Sequence, residues 1–322
     1  MHRGNGTMTG RTALVTGSSR GLGLLIAGEL ADRGCRVMLC GRDEFALERA
    51  VRRLNGRPGE VAATACDLVD AQAPLRLVRA VRERFGADVD LLVNNAGLIQ
   101  VGPVSAMQEQ DFRRAHELMT MAPLRLVQAV LPSMRARGTG SIVMVSSLAG
   151  RVPAPHLLPY VAAKFALTGL SEGLAAELSP HGIRVTTVLP GLMRTGSHTA
   201  AEFAGQAGQE YAWFAAAASL PLVSMDAERA ARRIVRAVEG GRRELVLTPL
   251  AKAGVLAHGV APATTGRLLA LASRLLPPAG GAPEHGVPGV RAAARHRPGG
   301  PVHRLTVLGR RAGRADNQPT TS

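Results

Sequence analysis

Seven short, uninterrupted apolar runs, separated by amphipathic helical patterns, constrain this chain more than any other feature. They lie at residues 12–16, 36–40, 61–66, 90–94, 141–146, 184–189 and 244–247, each rich in Val, Leu or Ile. A strand covered on both faces needs apolar residues throughout, whereas a strand with one wet face alternates. Between the runs, residues 21–33, 44–54, 74–85, 112–137, 160–179 and 227–239 repeat apolar side chains at helical spacing. This alternation predicts an α/β fold, a doubly wound parallel sheet with helices on both faces, as one domain over residues 1–276.

Composition narrows the function classes. Apolar residues make up 46% of the 322, but aromatics only 3%, so Leu, Val, Ala and Ile must fill the core. No apolar run reaches the ~18 residues of a membrane span, and the polar, Gly-rich start has no secretory h-region. Cys35, Cys40 and Cys66 are odd in number and lack metal-ligand spacing, so they read as reduced core residues of a cytoplasmic protein with no metal site. The net charge of +15 raises the question of nucleic acid. Yet Arg predominates along the whole chain, only Lys164 and Lys252 being lysine, and no basic stripe interleaves with aromatics, so no nucleic-acid partner is expected.

Three segments stand outside the alternation. Residues 193–221 hold Phe203, Tyr211, Trp213 and Phe214, four of the nine aromatics, directly after the sixth strand. Strand carboxyl ends open there, so this segment is expected to cover an apolar substrate rather than merely pack as a helix pair. Residues 249–276 are Leu-rich helical pieces broken by Gly259, Pro262 and Gly266; packing on the domain, an oligomer contact and a membrane contact all fit them. Residues 277–322, rich in Pro, Gly and Arg, are expected to form a disordered tail in which seven Arg oppose Glu284 and Asp316.

The first strand ends in Thr16-Gly17-Ser18-Ser19-Arg20-Gly21-Leu22-Gly23 and a helix follows. Glycines there allow a sharp turn and close approach of a pyrophosphate, whose charge a helix N-terminus favours. An NAD site calls for a carboxylate near the end of the second strand, to hold the ribose 2′-hydroxyl. Gly41 stands there, followed by Arg42, with Arg20 in the glycine turn. Two guanidinium groups and no carboxylate suit a 2′-phosphate, hence NADP(H) rather than NAD(H).

Tyr160-Val161-Ala162-Ala163-Lys164 sets a phenol and an ammonium one helical turn apart on one face. A phenol is a poor acid or base at neutral pH until a fixed cation stabilises its anion. Ser147, just past the fifth strand, is placed to hydrogen-bond a substrate oxygen. One of two tyrosines and one of two lysines meet at this spacing in a chain that otherwise uses Arg.

With these motifs in order, the chain resembles the short-chain dehydrogenase/reductase family over roughly residues 10–250. The resemblance rests on TGSSRGLG at residues 16–23, CDL at 66–68, NNAG at 94–97, Ser147, YVAAK at 160–164 and PGLMRT at 190–195. It implies a Rossmann-like seven-stranded sheet in the order 3-2-1-4-5-6-7 and a homodimer or homotetramer. It implies that Asp67 and Leu68 border the adenine, and that Asn94, Ala96 and Gly97 line the cofactor. Lys164 would also hold the nicotinamide ribose, with Tyr160 close to it, while Pro190, Gly191 and Thr195 would contact the nicotinamide side. Ser147 would orient a carbonyl while Tyr160 transfers the proton. The activity implied is reduction of a ketone or ketoacyl-like carbonyl by NADPH, or the reverse oxidation of an alcohol.

One position departs from the family pattern. Met119 falls where the family carries an asparagine that supports a proton-relay water, and no asparagine occurs between Asn95 and Asn317. Thr120, His116 or a backbone carbonyl would then serve the relay, or turnover is slow. A family member that binds NADP but catalyses little, acting as a structural or regulatory partner, is the rival reading that Met119 raises.

Overall fold

The computed structural model describes residues 8–219, 224–280 and 284–295, together with Thr306 and Asn317. Its central sheet has seven parallel strands: β1 (Thr12–Thr16), β2 (Arg36–Gly41), β3 (Val61–Ala65), β4 (Leu91–Asn94), β5 (Gly140–Val145), β6 (Ile183–Leu189) and β7 (Glu244–Val246). They lie in the order β7-β6-β5-β4-β1-β2-β3, the expected Rossmann-like arrangement. β1 pairs with β2 on one side and β4 on the other, so the strand order reverses beside β1 and leaves a crevice at the carboxyl ends.

Both faces of the sheet are apolar because helices cover both. α1 (Gly21–Asp32), α2 (Glu44–Leu54) and α8 (Ala227–Glu239) close one core, with Leu24, Ile26, Leu47 and Ile234 against Val15 and Leu39. α3 (Ala73–Phe85), α5 (Ala122–Arg137) and α6 (Leu158–Leu178) close the other, with Leu77, Leu126 and Leu167 against Leu14 and Leu92. Cys35, Cys40 and Cys66 are buried free thiols. Among the described residues no helix is long and apolar enough to cross a membrane, and no cluster of His, Cys, Asp or Glu is arranged to hold a metal ion.

The structure divides the helix expected over 112–137. α4 (Glu109–His116) passes into a π-helical turn, Glu117–Met121, before α5 begins. Pro123 lacks the N–H that would bond the carbonyl of Met119, so the α-helical ladder fails there and a wider turn fills the gap.

Two further readings are corrected. Within the expected tail, Glu284–Pro288 forms a strand antiparallel to Glu202–Gly205, and α11 (Gly289–Ala294) packs on α7 (Ala207–Ser219). Val287 and Ala292 find apolar partners there, which a local reading of a Pro- and Gly-rich stretch does not reveal. Residues 281–283, 296–305, 307–316 and 318–322 of that expected tail lie outside the described residues, as do 220–221 of the expected cover. The aromatics of 193–221 build a second small core: Phe203 lies 5.6 Å from Tyr211 and 6.1 Å from Phe214, edge to face, with Val101 and Ala292 beside them. Their apolar surface is buried in mutual packing, so it no longer argues for an apolar substrate.

Candidate active site

The motifs singled out in the sequence follow the carboxyl ends of the parallel strands, which share one edge of the sheet. After β1 the chain turns at Gly17, whose φ is +62°. A Cβ there would sit 2.8 Å from Ala96 Cα, and one at Gly23 would sit 2.3 Å from the Gly17 carbonyl oxygen, so both turns require glycine. Ser18 donates to the Val15 carbonyl (2.7 Å) and accepts from the Cys40 amide (2.9 Å), tying the turn to β2. The Thr16 hydroxyl accepts from the amides of Asn95 (2.9 Å) and Ala96 (3.1 Å), and the Asn95 amide group donates to the Thr16 carbonyl (3.0 Å). Asn95 thus stitches the segment after β4 to the glycine turn. Its neighbour Asn94 is buried, with Oδ1 unpaired.

α1 follows Arg20, which provides no side-chain cap, and has no acidic residue in its first turn. Its leading amides and positive dipole end therefore suit a phosphate anion. Arg20 stands 3.5 Å from Asp43. Burial lowers the Arg20 pKa, Asp43 opposes that, and the nearby charges of Arg42 and Arg49 lower it further. A carboxylate is therefore present beside the arginines, contrary to the sequence reading. It is occupied, however, because the Asp43 side chain caps α2 through the Ala46 amide (2.9 Å) as well as pairing with Arg20. Three guanidinium groups against one engaged carboxylate fit a doubly charged phosphate. Arg49 and Asn317 are additions that sequence reading missed: Asn317 accepts from Arg49 (3.1 Å) and donates to the Ser19 carbonyl (2.7 Å). Nothing local in a chain end could have indicated that contact.

Asp67 is exposed after β3 and accepts from the Val69 amide (3.1 Å), while Leu68 is buried in the core. Beyond β6, the Pro190 carbonyl accepts from the Leu148 amide (2.7 Å), and the Thr195 hydroxyl accepts from the Ser197 amide (3.3 Å). Gly191 is close to Thr248, where a Cβ would meet Oγ1 at 3.0 Å.

Ser147, Tyr160 and Lys164 come together. The Tyr160 phenol lies near Ser147, whose oxygen accepts from the Ala149 amide (3.1 Å). Lys164 is 3% exposed; its Nζ donates to the Val145 carbonyl (2.8 Å) and lies 5.6 Å from the centre of the Tyr160 ring. Burial raises the Tyr160 pKa above 10, and the Ser147 hydroxyl works against that rise. Burial also brings the Lys164 ammonium down to about 7.

Ser146, the residue before the predicted serine, is a positioning group not read from the sequence. Its hydroxyl contacts the Lys164 carbonyl (3.0 Å) and Thr168 Oγ1 (2.7 Å), fixing the end of β5 to α6. Gly150 permits that approach, since a Cβ there would sit 2.5 Å from Thr168 Oγ1. His156 has a φ of +61° and binds Glu210 (2.8 Å), a carboxylate on α7 that also accepts from Trp213 (2.7 Å). This pair joins the loop before Tyr160 to the helix of the expected cover.

Met119 is fully buried beside Tyr160 and Lys164. It packs with Ala115 and Ala163 near Tyr160, and a Cβ on Gly97 would meet its Sδ at 3.3 Å and Lys164 Nζ at 3.9 Å. Of the expected substitutes for the relay, Thr120 donates to the Ala163 carbonyl (3.2 Å).

The short chain dehydrogenase family profile matches residues 11–204. The chain is 36% identical over 189 residues to the human "Dehydrogenase/reductase SDR family member 4", covering 58% of this chain and 68% of that protein. A short-chain dehydrogenase from Streptomyces avermitilis superposes with a TM-score of 0.67 at 32% identity, covering 82% of this chain and 98% of that one. L-sorbose reductase from Gluconobacter frateurii, solved with NADPH and L-sorbose, gives a TM-score of 0.65 at 27% identity, covering 74% of this chain and 95% of that one.

Proposed function

The chain belongs to the short chain dehydrogenase family and is an NAD(P)-dependent oxidoreductase; from that premise we propose that it uses NADPH to reduce a ketone or ketoacyl-like carbonyl to an alcohol, or NADP to run the reverse. The observation that carries this reading is the buried Lys164 ammonium under the Tyr160 ring, with Ser147 on the phenol. These three groups can hold a carbonyl oxygen and give it a proton. The chain's residues fit the nicotinamide cofactor: the glycine cradle and the uncapped start of α1 suit a pyrophosphate, and Arg20, Arg42 and Arg49 suit a 2′-phosphate. When bound, NADPH supplies the hydride. Ser147 orients the substrate oxygen, Tyr160 donates the proton to it, and Lys164 stabilises the resulting phenolate. Asp67, Asn94, Ala96 and Gly97 would line the cofactor, with Pro190, Gly191 and Thr195 towards the nicotinamide. Leu68, whose side chain is in the core, would border the adenine through its backbone. The segment after β6 would cover the substrate, and the chain would act as a homodimer or homotetramer. A panel of ketones and β-ketoacyl thioesters tests the activity: NADPH consumption above background supports it, and none with any member of the panel contradicts it.

Replacing Arg42 by Asp removes a phosphate partner and brings a carboxylate to the ribose. The ratio of kcat/KM for NADPH over NADH is expected to fall by about tenfold or more, the scale of one charge-assisted hydrogen bond. An unchanged ratio would assign the discrimination to Arg20 or Arg49 alone.

Met119→Asn tests the relay. Methionine offers no donor and only a weak acceptor beside Lys164, whereas an amide can hold a water. The expected result is a rise in kcat of about tenfold, a fraction of the usual general acid–base contribution, with NADPH affinity little changed. Stability should drop by about 1–3 kcal/mol, the cost of a buried amide that is incompletely bonded. A fall in both kcat and stability would mean that the proton path is built around Met119, or that none is needed.

A further inference from the structure

The proposed reaction makes no use of the helical hairpin that follows β7. α9 (Pro249–Val260) buries only Ala251, and α10 (Pro262–Ser273) buries no residue. The two helices pack on each other, with His258 bonded to the Thr265 hydroxyl (2.8 Å). Leu250, Leu256, Val260, Leu268, Leu271 and Leu275 are 55–88% exposed, and they make six of the thirteen exposed large apolar side chains among the described residues. Twelve-residue helices are marginal in water without a packed face, and apolar side chains gathered in this way mark a contact surface.

The charges on the hairpin identify what it fits. No Asp or Glu occurs between Glu244 and Glu284, while Lys252, Arg267 and Arg274 are exposed within that stretch. A second copy would bring the same cations face to face in a chain of net charge +15. Exposed leucines set among cations, with no anion, match an interfacial helix on anionic lipid. We propose that α9 and α10 dock on an anionic membrane surface, the leucines at the acyl boundary and the three cations at the headgroups. Docking there would set the membrane beside the catalytic loop, because a Cβ on Gly254 of α9 would lie 3.8 Å from Leu148 and 3.9 Å from Val152.

Co-sedimentation of the full chain with vesicles tests this. Equimolar phosphatidylglycerol and phosphatidylcholine are expected to pellet at least about tenfold more protein than phosphatidylcholine alone, and raised salt should reverse it. The double variant Leu256→Glu/Leu268→Glu and the triple variant Lys252→Glu/Arg267→Glu/Arg274→Glu should each lose about tenfold of that binding. Their melting temperatures should stay at the parent value, because every changed side chain is exposed. Failure of the parent to bind, or equal binding to neutral vesicles, overturns the proposal. So does binding that survives in the leucine variant, which would assign it to the Arg-rich residues beyond 284. A lipid-free dimer that the leucine variant splits would make this face a self-interface and overturn it as well.

Discussion

Tyr160→Phe is expected to lower kcat for carbonyl reduction by at least about 10²-fold, the lower end of a general acid's usual contribution, while NADPH binds with nearly the parent affinity. The substitution keeps the ring, its packing near Met119 and its position over Lys164; only the hydroxyl is lost. Steady-state rates with the best substrate of the panel, together with NADPH titration by fluorescence, check both halves. Activity within about tenfold of the parent would remove Tyr160 as the acid. Lost NADPH binding would mean that the phenol serves the cofactor rather than the proton.

Lys164→Met is expected to reduce kcat by about 10²-fold or more and, at neutral pH and below, to stabilise the fold. Burial lowers the Lys164 pKa from 10.5 to about 7. Below pH 7 both the folded and the unfolded chain hold this proton, and the buried charge costs the fold its full amount. Between pH 7 and 10.5 the unfolded chain binds more protons at this site than the folded chain, so parent stability rises with pH; above 10.5 the difference is gone. The shift corresponds to a cost on the order of 5 kcal/mol at pH 6. Melting curves from pH 6 to pH 10 should therefore show the variant more stable at the acid end, with the gap closing as pH rises. A pH-independent gap, or a variant less stable throughout, would show that the Val145 carbonyl keeps Lys164 charged at little cost. Stability gained where activity is lost is the pattern of a functional residue that opposes folding.

The sheet is legible in the sequence because each central strand is buried on both faces and so writes itself as a continuous apolar run. Ser147, Tyr160 and Lys164 are legible for a different reason: a lone Tyr–Lys pair at helical spacing in an Arg-using chain is chemically unusual. What escapes are contacts between residues far apart in the chain. Asn95 on Thr16, Ser146 on the Lys164 carbonyl, His156 on Glu210 and Asn317 on Ser19 have no spacing that announces them. The strand Glu284–Pro288 escapes because it exists only through its partner Glu202–Gly205. The π-turn was partly readable, since Pro123 stands inside an otherwise helical pattern. The aromatics after β6 mislead in the opposite direction, because local apolar content cannot distinguish a substrate wall from a small core closed by Val101 and Ala292.

Under the proposed function, this chain transfers a hydride from NADPH to a carbonyl that receives its proton from Tyr160. Incubating the parent and Tyr160→Phe with a ketone and NADPH deuterated at the transferable nicotinamide position, then weighing the product, tests it most directly. The parent should yield alcohol carrying one deuterium on the former carbonyl carbon, in amounts equal to the NADPH consumed, and Tyr160→Phe should yield essentially none. Parent protein that binds NADPH yet forms no labelled alcohol, or a variant that forms as much as the parent, would contradict it.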